Sequence, residues 1–210
     1  MNPECLSNHN KQDFRDACLT KRGLSEYMDI FDITDDEMDD PNMTMLDLGS
    51  GLKQEFARQA KEEGYKSKII SVDPRLGLSL EEDLSLLSRH SPREIGRISE
   101  RISARQNLPD NSLSAIAQAL PFKDKSFDRV FALWSVPYYI ITTPEEIKIV
   151  LKEMLRVVKD GGVIKAHPLP MGNKFLSAAK DFLSEQSDIE FSIDKNKDMM
   201  IINKKEKTVE

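Results

Sequence analysis

The sequence predicts an α/β fold built on an open, mostly parallel sheet, and three observations support this prediction. Short apolar runs typical of buried strands alternate with segments whose apolar residues recur at helical spacing. A glycine-rich turn joins the first apolar run to the first helical segment, and two apolar runs near the C-terminus are typical of an antiparallel hairpin. With 210 residues, 39% of them hydrophobic, the chain is long enough for one domain with its own core.

The net charge of −6 is distributed unevenly along the chain. Residues 1–42 contain eleven acidic and four basic side chains, whereas residues 43–210 contain twenty-five acidic and twenty-six basic ones. We therefore divide the chain into an acidic N-terminal helical extension, 1–42, and a nearly neutral body, 43–210. The extension is expected to hold one or two helices followed by an acidic, solvated connector over residues 29–40.

The composition predicts a cytoplasmic protein without a metal site or a membrane partner. No apolar stretch approaches the roughly 18 residues of a membrane span. The N-terminus lacks a basic start followed by an apolar run, so no secretory signal is expected. Cys5 and Cys18 do not make a disulfide framework, and together with His9 they match no zinc spacing.

The first predicted unit is strand, turn, helix and strand. An apolar run at 43–48 ends in the glycine turn, helical spacing follows to residue 64, and a β-branched run lies at 68–72. This order predicts a parallel strand pair with a right-handed crossover. The long stretch 75–113 comes next and is predicted to be a helical insertion over the site, with a helix at 80–87 and another from Pro92.

The second half of the chain completes the sheet. Thr143 is predicted to cap a helix that has Pro144 at its first position, and Gly161-Gly162 is predicted to stop that helix. The elements are, in order, a short run at 113–120, a strand at 127–134, a helix at 144–158, a strand at 163–166, a helix at 177–183, and hairpin strands at 189–193 and 199–202.

The glycine turn and a downstream acid indicate a nucleoside site. Residues 46–51 read LDLGSG, a pattern that suits a tight turn whose following helix presents free N–H groups. Asp73 follows the second strand, where an acid can bind both hydroxyls of a ribose. Gln54 stands where the dinucleotide pattern requires glycine, which disfavours a nicotinamide or flavin cofactor. Asp47 is a second acid in the turn and favours a nucleoside ligand that carries a positive charge. S-adenosylmethionine is a cationic nucleoside cofactor that fits this requirement.

Four segments in order resemble the class I S-adenosylmethionine-dependent methyltransferases, in particular the methyltransferase-11 or ubiquinone-biosynthesis-like branch. They are DLGSG at 47–51, SVD at 71–73, ALPFKDKSFDRV at 119–130 and EMLRVVKDGG at 153–162. The resemblance implies a three-layer α/β sandwich with a Rossmann-like, mostly parallel seven-stranded sheet and a C-terminal antiparallel hairpin.

The resemblance also implies roles for individual residues. Asp47 would order the turn, Asp73 would bind the ribose, and Trp134 would border the methyl donor. The methionine part would lie on Gly49, Ser50 and Gly51, and the adenine between Pro74 and Ala117. The candidates for a general base toward the acceptor are Tyr138, Tyr139 and His167.

Two positions depart from the family pattern. Lys53 stands where the family often has a third glycine, and Ile116 stands where it usually has an aspartate that contacts adenine. Gln118 or the backbone N–H of Ala117 is then left to contact the adenine.

The sequence leaves three functions open. The first is methyl transfer from S-adenosylmethionine to a small-molecule acceptor. The second is RNA methylation through an arginine stripe with a four-residue repeat, and the third is a non-catalytic cofactor-binding or interaction protein of the same fold. A nicotinamide-dependent oxidoreductase is a weaker competitor. The stripe comprises Arg89, Arg93, Arg97, Arg101 and Arg105.

Overall fold

The structure is a computed structural model that describes residues 22–79, 81, 100, 102–136, 143–169 and 174–207. Several predicted features lie outside the described residues. These are most of the predicted helices at 80–87 and from Pro92, most of the arginine stripe (Arg89, Arg93, Arg97 and Arg101), Tyr138 and Tyr139, and Cys5, His9 and Cys18.

A seven-stranded sheet runs through the described part of the chain. Its strands are β1 (Thr44–Leu48), β2 (Lys68–Val72), β3 (Ser112–Leu113), β4 (Phe127–Leu133), β5 (Val158–His167), β6 (Ile189–Asp194) and β7 (Met199–Lys204). They are ordered β3-β2-β1-β4-β5-β7-β6. The first five strands in this order pair in parallel, while β7 is antiparallel to both β5 and β6. The predicted mostly parallel sheet with a C-terminal antiparallel hairpin is confirmed.

Five helices with defined bounds surround the sheet in the described residues. They are α1 (Leu24–Phe31), α2 (Asp35–Asp39), α3 (Glu55–Glu62), α4 (Pro144–Val157) and α5 (Lys174–Ser184). A 3-10 helix spans Pro74–Gly77, and residues 102–106 are helical.

Alternating strand residues divide the core into two layers of side chains. Leu46 and Leu48 of β1 pack in one cluster with residues of α4 and α5, whereas Met45 packs in a second cluster with residues of α1 and α3. In β4, Val130 belongs to the first cluster and Phe131 to the second. Because successive strand residues point to opposite faces, the sheet lies between two helical layers, which is the predicted three-layer sandwich.

Helix α4 begins as predicted, but its end differs. The Thr143 hydroxyl accepts a hydrogen bond from the Glu146 amide and the Glu146 carboxylate accepts one from the Thr143 amide, which forms a capping box. The helix ends at Val157 and β5 begins at once, so Gly161-Gly162 does not stop the helix. The two glycines lie within β5, in the interval where its pairing with β4 shifts register. A Cβ at Gly162 would lie 2.9 Å from the carbonyl oxygen of Asp128, which explains the requirement for glycine.

The described part of the acidic segment packs on the body. Phe31 at the end of α1 is fully buried and stacks on Phe131 with ring centroids 4.8 Å apart. Residues 29–40 were predicted as an acidic, solvated connector. The connector is wrong, because these residues include the end of α1 and all of α2. Most of their acidic side chains are exposed, as predicted. Their acids also pair with the body: Glu37 lies 2.6 Å from Arg129.

None of the helices in the described ranges combines the length and the apolar character that crossing a membrane would require.

Candidate functional site

The turn between β1 and α3 is held tightly against the end of β2. The backbone N–H groups of Gly49 and Ser50 both donate to the carbonyl oxygen of Val72, at 2.8 and 3.1 Å. Gly49 and Gly51 have φ values of 79° and 72°, in the left-handed region that favours glycine. A Cβ at Gly49 would also lie 2.3 Å from the Cβ of Ser135. Backbone conformation and the close approach of the segment after β4 therefore both require glycine at position 49.

Asp73 joins this turn to the 3-10 helix that follows β2. Its carboxylate is 6% exposed, and it accepts hydrogen bonds from the amides of Gly51 at 3.0 Å and Arg75 at 2.9 Å. Pro74 is the first residue of the 3-10 helix, where its missing N–H costs no hydrogen bond. The structure thus brings Asp73 to the glycine turn, as the sequence predicted, and two backbone amides fix the orientation of its carboxylate.

Asp47 is a nearly inaccessible carboxyl beneath the same turn. It is 1% exposed, and its Oδ1 accepts a hydrogen bond from the Tyr27 hydroxyl at 2.8 Å. Burial raises the pKa of Asp47 to about 7; the Tyr27 hydrogen bond opposes this rise, and the charge of Asp73 adds to it. Tyr27 comes from α1 and was not among the predicted site residues. Its apolar spacing with Leu24 and Phe31 marks a helix face, but nothing in the sequence pairs its hydroxyl with Asp47.

Gln54 occupies the position at which the dinucleotide-binding pattern, rather than the methyltransferase pattern, has its third glycine. It is the N-cap residue of α3 with a φ of 48°, and its side chain is 1% exposed. The Ser112 hydroxyl contacts Gln54 Oε1, which ties α3 to β3. The buried amide therefore fills the space that a glycine at this position would leave open. At the preceding position, the Lys53 ammonium lies 3.3 Å from the carboxylate of Glu100.

The carboxyl ends of β4 and β5 bring Trp134 and His167 together. The Trp134 amide donates to the His167 carbonyl at 2.6 Å, and the two rings meet edge to face with centroids 6.4 Å apart. The Arg22 guanidinium lies 5.0 Å from the Trp134 ring centroid, a cation–π distance. His167 Nδ1 lies 2.7 Å from the Lys197 carbonyl oxygen. Because a carbonyl only accepts, Nδ1 carries the proton of the neutral ring, and Nε2 is the nitrogen that can accept one.

The predicted adenine side is formed by the segment after β3. Ala117 is 2% exposed, and it lies in a tight turn closed by a hydrogen bond from the Ala119 amide to the Ile116 carbonyl at 3.1 Å. The Ser114 hydroxyl donates to the Pro74 carbonyl at 3.2 Å, which links this segment to the end of β2. Pro74 and Ala117 therefore lie on connected segments, while the side chain of Ile116 has no polar atom for an adenine.

The predicted residues thus fall into groups along one edge of the sheet. Gly51 of the turn is hydrogen-bonded to Asp73, and Asp47 precedes the turn by two residues. Trp134 is adjacent in sequence to Ser135, which lies against Gly49. Of the three base candidates, His167 is described and lies beside Trp134. Within the described ranges, no group of three or more His, Cys, Asp or Glu side chains is placed to hold a metal ion.

Comparison with known proteins shows similarity to methyltransferases over part of the chain. A family model described as "Methyltransferase domain" (Methyltransf_11) matches residues 91–165. A search of curated protein sequences found no match.

Two solved structures share the fold. One is a candidate S-adenosyl-L-methionine-dependent methyltransferase from Methanococcus maripaludis; it is 16% identical, the match covers 95% of this chain and 93% of the other, and the TM-score is 0.54. The second is a candidate rRNA methylase from Clostridium thermocellum; it is 15% identical, the match covers 88% and 98% of the two chains, and the TM-score is 0.50. At these identities the likeness concerns the fold.

Proposed function

We propose that the chain is an S-adenosylmethionine-dependent methyltransferase that transfers a methyl group to a small-molecule acceptor. The methyltransferase family model that matches residues 91–165 and the fold shared with the solved methyltransferase structure support S-adenosylmethionine as the cofactor. The two halves of this proposal concern different parts of the site. The cofactor half rests on the glycine turn and its two acids. The acceptor half rests on the charge of the body and on the contacts of Arg105.

The observation that carries the proposal is the pair of buried acids at the glycine turn. The fixed carboxylate of Asp73 suits the hydroxyls of a ribose, because two backbone amides already orient it. Burial and the charge of Asp73 both disfavour the ionised form of Asp47, so a cationic ligand group would stabilise that form. This set of groups fits a positively charged nucleoside. It suits a dinucleotide less well, because Gln54 fills the position of the third glycine.

In this proposal the site residues mainly bind the cofactor and align its methyl group with the acceptor. The cofactor supplies an activated methyl group when bound, so the protein can accelerate transfer largely through proximity and orientation. Asp73 would hold the ribose, and Gly49 and Gly51 would let the backbone approach the methionine part. A base is needed only if the acceptor must lose a proton, and His167, whose Nε2 can accept one, is the described candidate.

A small acceptor is favoured over RNA by the charges of the body and by Arg105. The body is nearly neutral, whereas a committed RNA-binding surface is usually strongly basic. Arg105 belongs to the predicted arginine stripe, but its guanidinium donates to the carbonyl oxygens of Leu78 and Arg75 at 2.7 and 2.9 Å. This arginine therefore contributes to the fold.

Calorimetric titration tests the cofactor half of the proposal. We expect the protein to bind S-adenosylmethionine and S-adenosylhomocysteine but not NAD. Binding of NAD alone would contradict the proposal and support an oxidoreductase. Failure to bind any of the three would support the non-catalytic alternative.

A tritiated-methyl transfer screen tests the acceptor half. A cell extract is incubated with the protein and labelled cofactor, then separated into metabolite, RNA and protein fractions. We expect the label in the metabolite fraction. Label in RNA that is lost at raised salt would support the RNA alternative, because binding through phosphate contacts is strongly salt-dependent.

A further inference from the structure

Tyr27 connects the N-terminal helix to the acid beneath the glycine turn. Its ring stacks on Phe56 with centroids 4.3 Å apart and an interplanar angle of 7°, and it meets Phe31 edge-on at 5.7 Å. The side chain is buried, and its hydroxyl donates to Asp47 Oδ1 at 2.8 Å. Packing therefore fixes the ring while the hydroxyl points at a carboxyl in the candidate site.

The docking of α1 at this point has further contacts. The Leu24 amide donates to Gln59 Oε1 of α3 at 2.8 Å, and a Cβ at Gly23 would lie 2.1 Å from the same oxygen. Asp47 and Met45 lie two residues apart on β1, so their side chains point to the sheet face that α1 covers. The position of Tyr27 thus follows from the packing of the whole helix.

We propose that Tyr27 is a positioning residue for Asp47, whose hydroxyl holds the carboxyl in its ionised, cofactor-binding form, so that cofactor affinity depends on the docking of α1. This inference rests on the proposed function, because it assumes that Asp47 opposes a cationic group of the cofactor. A hydrogen bond from a neutral donor stabilises a carboxylate more than a carboxylic acid. The bond from Tyr27 accordingly lowers the pKa of Asp47, against the larger effect of burial.

Other charged groups act on this pair. Asp73 faces Asp47 and disfavours a second negative charge. Glu26 on α1 raises the pKa of Tyr27, and Arg22 just before α1 lowers it. Both effects are smaller than those of burial and of Asp47. The pKa of Tyr27 is raised well above its ordinary range, so its hydroxyl stays a donor wherever Asp47 titrates.

The test measures S-adenosylhomocysteine affinity from pH 5.5 to pH 8.5 for the full-length wild type, Y27F and Y65F. Y27F keeps the stacked ring and removes the hydroxyl. Y65F is a matched control, because the Tyr65 hydroxyl also donates to a carboxylate, Asp35, at 2.6 Å, but away from the glycine turn. For the wild type we expect affinity to rise with pH as Asp47 ionises. In Y27F the midpoint of this rise should move upward by about half to one pH unit, the effect of one hydrogen bond.

The outcomes separate the inference from the proposed function. A midpoint shifted in Y27F and unchanged in Y65F supports the inference, whereas equal midpoints in all three proteins overturn it. A wild type that binds neither S-adenosylmethionine nor S-adenosylhomocysteine overturns the proposed function itself. If Y27F does not fold, as judged by circular dichroism, D47N replaces it. D47N must lose the pH-dependent rise, and a retained rise would overturn the inference.

Discussion

At the scale of single residues, Asp73 has a structural role and is also the proposed ligand of the ribose. Its carboxylate holds the amides of Gly51 and Arg75 and is the group predicted to bind the ribose. We expect D73A to weaken S-adenosylhomocysteine binding at least about tenfold, or about 1.4 kcal/mol. Isothermal titration calorimetry measures this change.

A matched control for D73A is D110A. It also removes one carboxylate, but from an exposed pair with Lys61, so affinity should stay close to the wild-type value. An unchanged dissociation constant in D73A would remove the ribose assignment, and an equal loss in both variants would point to a general charge effect.

Asp47, the acid proposed to oppose a cationic group of the cofactor, destabilises the folded state when it ionises. Its pKa rises from 3.8 to about 7 on folding, chiefly through burial. At low pH the carboxyl is protonated in both the folded and the unfolded chain, and nothing is lost. As pH rises from about 4 to about 7, the unfolded chain gives up its proton more readily, so the free energy of unfolding falls; above this range the loss is complete.

D47N lacks this titration. The free energy of unfolding of D47N, taken relative to that of the wild type, should therefore be larger at pH 8 than at pH 4, by up to about 4 kcal/mol. Urea unfolding at the two pH values measures the difference. D110N is the control: the pKa of Asp110 is lowered by Lys61, so its removal should give no such gain. A constant difference between D47N and wild type would contradict the raised pKa.

At the scale of elements, α1 is tied to the body chiefly by aromatic packing. Phe31 is fully buried, stacks on Phe131 and meets Tyr27 edge-on. We expect F31A to lower the free energy of unfolding by about 3–5 kcal/mol, as other buried aromatic truncations do. Urea denaturation monitored by circular dichroism measures the loss.

The control for F31A removes an exposed apolar side chain instead. Ile149 on α4 is 48% exposed, and I149A should change stability by no more than about 0.5 kcal/mol. If F31A were as mild as I149A, the docking of α1 would contribute little to the fold.

The elements also show which structural information is local. Helix α4 was predicted to within one residue because its capping box and its apolar spacing are encoded in consecutive residues. Gly161-Gly162 was misassigned because glycine both ends helices and permits close backbone approach in a strand, and only the neighbouring Asp128 carbonyl decides between the two.

The candidate site likewise contains features that local sequence patterns predict and one feature that depends on tertiary packing. The glycine turn and Asp73 were predicted from patterns at strand ends, and the structure brings them together. The bond between Tyr27 and Asp47 depends on how α1 docks across the sheet. No spacing rule could reveal it, since its partners are separated by a turn, a second helix and part of a strand.

At the scale of the whole molecule, the net charge of −6 conceals internal pairing. The acidic excess lies in residues 1–42, and several of these acids contact cations of the body. The Arg129 guanidinium lies 2.6 Å from Glu37, and the Lys197 ammonium lies 2.6 Å from Asp32. Exposed and half-exposed pairs of this kind contribute little individually. Together these pairs hold the acidic segment against cations of the body, in the same region where the aromatic side chains of α1 pack.

The two core layers share one sheet, and this predicts cooperative unfolding of α1 with the body. The chain has a single tryptophan, Trp134, so tryptophan fluorescence reports on the surroundings of this one side chain. Trp134 follows β4, and its ring contacts His167 at the end of β5 and Arg22 just before α1. Because Phe131 and Leu133 of β4 pack in the layer that contains α1, the helix cannot leave without exposing that face of the sheet. We therefore expect tryptophan fluorescence and far-ultraviolet circular dichroism to give the same urea midpoint. A fluorescence transition at clearly lower urea would show that the α1 edge opens as a separate unit, and it would then be expected to coincide with loss of S-adenosylhomocysteine binding.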